Sequence, residues 1–128
     1  MEIPQSLRYT KDHEWVETDA ATGRVKMGIT DYAQDALGDI VFVQLPEVGT
    51  KVQVGVTFSE VESTKSVSDI YGPITGVVVE VNSALADGPQ AINEKPYGDG
   101  WICVIEPVAD ATEDHLIDAK AYESLVGA

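Results

Sequence analysis

Apolar and polar positions alternate along much of this chain with a period of two, the spacing of strands that turn one face to a core and the other to water. Val25, Met27 and Ile29 interleave with Arg24, Lys26 and Gly28, which predicts a half-buried strand over Arg24–Ile29. His13–Thr18, with Trp15 and Val16, reads as its hairpin partner across the D-A-A-T-G turn at 19–23, and residues 1–10 ahead of it read as an arm. Asp39–Leu45 is rich in β-branched and aromatic residues and stops at Pro46 and Gly49, so a further strand is expected there. Val52, Val54, Val56 and Phe58 then alternate past a bulge at Gly55 and lead up to Lys65. After a corner at Gly72-Pro73 come strands at Val77–Val81 and Trp101–Ile105, separated by a connection with one helical turn at 82–92 and a loop of turn formers at 93–100.

The period changes to that of a helix in two places. Thr30 suits an N-cap, Asp31 a first turn, and Gly38 a left-handed stop, with Tyr32, Ala33, Ala36 and Leu37 sharing a face between them. Asp118 likewise caps a C-terminal helix through Val126 that ends at Gly127 and is expected only to cover the core. Many short strands with glycine and proline corners, and helices only as covers, predict a mainly β fold: a small sandwich or flattened barrel in a single domain, 1–128. A short internal echo supports such a shape. P-E-V-G-T-K-V-Q-V-G-V at 46–56 and G-P-I-T-G-V-V-V-E-V-N at 72–82 each follow a proline–glycine corner with alternating valines.

Composition narrows the functions open to such a fold. With 22 acidic and 8 basic residues the formal charge is −14, which argues against nucleic acid or an anionic membrane as partner and favours encounters with basic protein surfaces. No apolar run reaches the roughly 18 residues of a membrane-spanning helix. The first residues lack the profile of a secretory signal or a transit peptide, so a bacterial, cytoplasmic location is expected. The single cysteine, Cys103, lies in the apolar run W-I-C-V-I and makes no disulfide within the chain. His13, His115 and Cys103 have no metal-ligand spacing. Any thiol chemistry therefore needs sulfur from a cofactor.

The candidate chemistry sits in V-E-S-T-K-S-V-S-D-I-Y-G-P, 61–73. Apolar residues flank a tip of small hydroxyl residues, as in a hairpin, and the tip residue is Lys65. A lysine on a tight turn presents its amine to any enzyme that grips the hairpin, which suits a modification site. Glu60, Glu62 and Asp69, close in sequence, are expected to keep that amine charged. A solvated turn lysine is the bland alternative.

Six segments together resemble the H proteins of the glycine cleavage system: YTKDHEW (9–15), GITDYAQDALGDIVFVQLP (28–46), EVESTKSVSDIYGP (60–73), VNSAL (81–85), PYGDGW (96–101) and DAKAY (118–122). The resemblance spans nearly the whole chain. It implies a barrel-sandwich hybrid fold, with lipoate amide-linked to Lys65 by a lipoate-attaching enzyme. It implies a monomeric carrier and not an enzyme, one that takes the aminomethyl group of glycine from a pyridoxal-phosphate-dependent glycine decarboxylase to a tetrahydrofolate-dependent aminomethyltransferase. Dihydrolipoamide dehydrogenase then reoxidises the arm. The loaded arm of the family folds back on the body, and the matching H-E-W motif makes Glu14 a candidate to meet its amine, with Asp69 a second. Some relatives have a histidine near the end of the first helix, where this chain has Ala36, so an imidazole contribution to shielding the arm is in doubt here.

Biotinyl domains usually place methionines beside the lysine, whereas Thr64 and Ser66 stand here. Lipoyl domains of 2-oxo-acid dehydrogenases are shorter and usually lack segments like H-E-W and P-Y-G-D-G-W. Donation of lipoyl groups to other proteins is compatible with the same residues. A hydrolase built on His13, Glu14, Ser63, Ser66 or His115 lacks a nucleophile elbow, metal motif or phosphate loop. A purely structural β protein leaves the lysine hairpin without a reason.

Overall fold

A computed structural model describes residues 1–127. Nine strands form two sheets. β1 (Arg8–Tyr9), β2 (Glu14–Thr18) and β3 (Val25–Ile29) lead into a six-stranded sheet completed by β9 (Cys103–Pro107), β8 (Gly76–Val81) and β5 (Lys51–Val52), in the order β1-β2-β3-β9-β8-β5. The smaller sheet has β6 (Thr57–Ser63) between β4 (Ile40–Gln44) and β7 (Val67–Tyr71). All strand pairings are antiparallel. Inward residues of both sheets, among them Met27, Val61, Ile70, Val78 and Ile105, share one core.

The helices are α1 (Asp31–Leu37), α2 (Ala91–Glu94) and α3 (Ala119–Val126), with a single 3-10 turn at Ser83–Ala86. Three expected caps are present: the Thr30 hydroxyl accepts from Ala33 N, the Asp118 carboxylate accepts from Ala121 N, and Gly127 is left-handed. Gly38 ends α1 at positive φ, 82°, but its ψ of −159° is extended and not that of the expected left-handed helical cap. The two valine segments of the sequence echo are neighbours, Lys51 facing Val77 and Val52 facing Gly76.

Five boundaries depart from the pattern-based expectation, two of them where contacts distant in sequence override the local period. The expected arm ends in β1, where Tyr9 exchanges backbone hydrogen bonds with Ile117 and is fully buried. His13 lies outside β2, at φ 70°. The run from Val52 to Phe58 is not one bulged strand: at Gly55, φ 77°, the chain turns from the larger sheet into the smaller one. Finally, the strand expected at Trp101–Ile105 begins at Cys103, because Asn82 holds the carbonyls of Asp99 and Trp101 ahead of it, and α2 extends into the expected 93–100 loop.

Candidate functional site

Lys65 stands at the turn between β6 and β7. The last paired residues are Glu62 and Val67, and above them a small hydroxyl side chain organises the tip. Ser63 Oγ accepts from the backbone N–H of Lys65 and of Ser66, each at 3.1 Å, and Ser63 N–H donates to the Ser66 carbonyl at 2.8 Å. These bonds explain the serine at position 63, since its short hydroxyl satisfies turn amides that a strand would leave unpaired. The side chain itself is exposed.

A second anchor comes from the corner between α1 and β4. Thr64 N–H donates to the Asp39 carbonyl at 3.1 Å, tying the tip to that corner. The corner is in turn clamped by Asn93. Its amide donates to the Gly38 carbonyl and to Gln34 Oε1, and its Oδ1 accepts from Ile40 N–H at 2.9 Å. Gly38, at φ 82°, leaves room for the lysine stem: a Cβ there would lie 3.0 Å from Lys65 Cε. Sequence reasoning missed Asn93, whose only signal was its place in a run of turn formers.

Gly38 follows Leu37, which lines a cleft of about 160 Å³. α1 supplies one wall through Tyr32, Ala33, Ala36 and Leu37; Asp12, His13 and Glu14 supply a second; Ser68, Asp69 and Ile70 of β7 a third. The two acidic residues singled out in the sequence thus line one cleft together with Asp12, and the lysine stem lies against Gly38, the residue that follows Leu37 of its wall. Ala36 adds only a methyl group to the wall.

Glu14 is not a solvated surface charge. It is 1% exposed, its carboxylate accepts from Thr10 Oγ1 at 2.6 Å, and Tyr71 N–H donates to its other oxygen at 3.3 Å. Burial pushes its carboxyl up to about 7 against the pull of these hydrogen bonds, with Asp12 adding a smaller push. Asp69 is exposed. Burial lowers the His13 imidazole below its ordinary range, with Asp12 opposing.

The carboxylates near the tip do not pair with the amine. Among the described residues the only ion pair is Arg24–Glu106, so Glu60, Glu62 and Asp69 all lie beyond 4 Å of the Lys65 Nζ. Cys103 is fully buried, and burial raises its thiol to about 12. No cluster of metal-binding residues occurs among the described residues, nor is any helix among them long and apolar enough to cross a membrane.

Comparison with known proteins adds an independent line. The family model described as "Glycine cleavage H-protein" matches residues 7–128. The glycine cleavage system H protein of Halorhodospira halophila is 51% identical over 125 residues, covering 98% of this chain and 95% of that protein. That of Paraburkholderia phytofirmans is 51% identical over 128 residues, covering both chains fully. The crystal structure of a glycine cleavage system H protein from Mycobacterium marinum superposes with a TM-score of 0.88 at 45% identity, covering 98% of this chain and all of that one. The two-sheet architecture is accordingly a barrel-sandwich hybrid.

Proposed function

The chain belongs to the glycine cleavage H-protein family, and from that premise we propose that it is a lipoyl carrier whose arm is attached at Lys65. The proposal extends to its partners: a lipoate-attaching enzyme, the pyridoxal-phosphate-dependent glycine decarboxylase, the aminomethyltransferase and dihydrolipoamide dehydrogenase. Its role is to move the aminomethyl group of glycine between the active sites of the decarboxylase and the transferase, as a cofactor-bearing subunit and not as a catalyst.

One observation carries the assignment of the site. An exposed, unpaired lysine sits on a turn fixed by Ser63 and Asp39, with its stem against Gly38, the residue after Leu37 of a cleft lined by three carboxylates, Asp12, Glu14 and Asp69. When bound, lipoate supplies the sulfur and redox chemistry that a buried, high-pKa Cys103 cannot. The chain's residues supply the mount and the berth. The apolar wall from Ala33, Ala36, Leu37 and Ile70 suits an aliphatic arm, while Glu14 and Asp69 suit a cationic amine at its end. Because Glu14 titrates near 7, a cation beside it draws the carboxyl into its charged form at no great cost.

The test is turnover. Lipoylated chain mixed with the decarboxylase and carboxyl-labelled glycine should release labelled carbon dioxide, and a Lys65→Arg chain should release none above background. Equal release from both would remove Lys65 from the function.

A further inference from the structure

α3 does more than cover the core. Tyr122 is fully buried and stacks on Tyr9 with centroids 4.7 Å apart. Its hydroxyl meets the Nδ1 of His13, which lines the cleft, at 2.8 Å and the Oγ1 of Thr30, the cap of α1, at 2.7 Å. Thr30 caps α1, one wall of the cleft, and His13 lies on another.

Proton accounting fixes the direction of this chain. Thr30 is fully buried, and its oxygen already accepts the Ala33 N–H. Its own hydroxyl proton has one acceptor within reach, Tyr122 Oη. If Tyr122 instead donated to Thr30, the threonine proton would be buried without a partner, which native interiors avoid. Thr30 therefore donates to Tyr122, and Tyr122 donates to His13. The ring must accept at Nδ1, and its proton resides on Nε2. Lowering of the imidazole pKa by burial agrees with a neutral ring.

We propose that Tyr122 is a positioning residue for the cleft: the directed chain Ala33 N–H, Thr30, Tyr122, His13 locks the histidine in its Nε2–H tautomer and joins the two facing walls through the C-terminal helix. The consequence for a loaded arm rests on the carrier reading above. With the walls joined, the cleft keeps one shape and shields the arm from water; with the link cut, His13 and the α1 cap move independently.

Tyr122→Phe tests this, because it keeps the ring stack on Tyr9 and removes only the hydroxyl. Imidazole nitrogen NMR on the apo chain should show one neutral tautomer, bare at Nδ1, in the wild type, and a mixture of tautomers in the variant. Loss of ammonia from the loaded arm should be about 3- to 10-fold faster in Tyr122→Phe, as expected for one lost hydrogen bond. Thr30→Ser retains the hydroxyl and should keep both wild-type signatures. A wild-type ring protonated at Nδ1, or a variant with unchanged tautomer and unchanged protection, overturns the proposal. Refusal of lipoate by the wild type would sink the carrier reading and the shielding role with it, whereas the apo spectrum decides the tautomer lock either way.

Discussion

Glu14 is the carboxyl group that burial perturbs most clearly among the described residues. Its carboxyl, raised from 4.5 to about 7, binds a proton more tightly folded than unfolded. The stability this contributes is complete below the unfolded value and is lost as pH rises through the folded one, a loss on the order of 3 kcal/mol. Glu14→Gln keeps the shape and cannot ionise. Urea unfolding from pH 4 to 8 should therefore show the wild type losing stability relative to Glu14→Gln across about pH 4.5 to 7, and parallel curves would refute a raised carboxyl. A cationic amine in the cleft would reverse the penalty by pairing with the carboxylate. Much of this was illegible in the sequence. H-E-W marks the position by resemblance, but nothing local to Glu14 says that Tyr71, 57 residues away, will donate to it.

At the scale of elements, the lysine hairpin is held from outside as well as from within. Ser63 organises the turn locally, and that half was visible in the run S-T-K-S. The other half depends on Asn93 gripping Gly38 and Ile40, a contact across more than 50 residues that no period or turn rule records. Asn93→Ala removes three hydrogen bonds at the corner and should cost about 1–3 kcal/mol. Amide exchange should quicken at Ile40 and Thr64, while the Ser66 amide, bonded to Ser63 within the turn, keeps its protection. Unchanged exchange at Ile40 and Thr64 would mean that the corner does not support the tip. The helices α1 and α3 were the most legible elements, because Thr30, Gly38, Asp118 and Gly127 mark their ends locally, whereas α2, which has no side-chain cap, was not. The break at Gly55 was not, since alternating valines look the same whether they continue in one sheet or cross to another.

For the whole molecule, the alternating pattern was sufficient to predict two faces of β structure, but not which strands pair. β3 beside β9 and β1 beside the C-terminal segment are closures between chain ends, fixed by the shared core. The net charge of −14 surrounds this frame with a negative field that favours basic partner surfaces. Everything else in the account depends on the arm being attached at one amine. The most direct measurement is the intact mass of the folded chain after incubation with a lipoate ligase, ATP and lipoate, with peptide mapping and Lys65→Ala in parallel. The account predicts one lipoyl group, on Lys65, and none on the variant. A folded chain that stays unmodified beside a known acceptor, or a variant that is modified equally well, would contradict it.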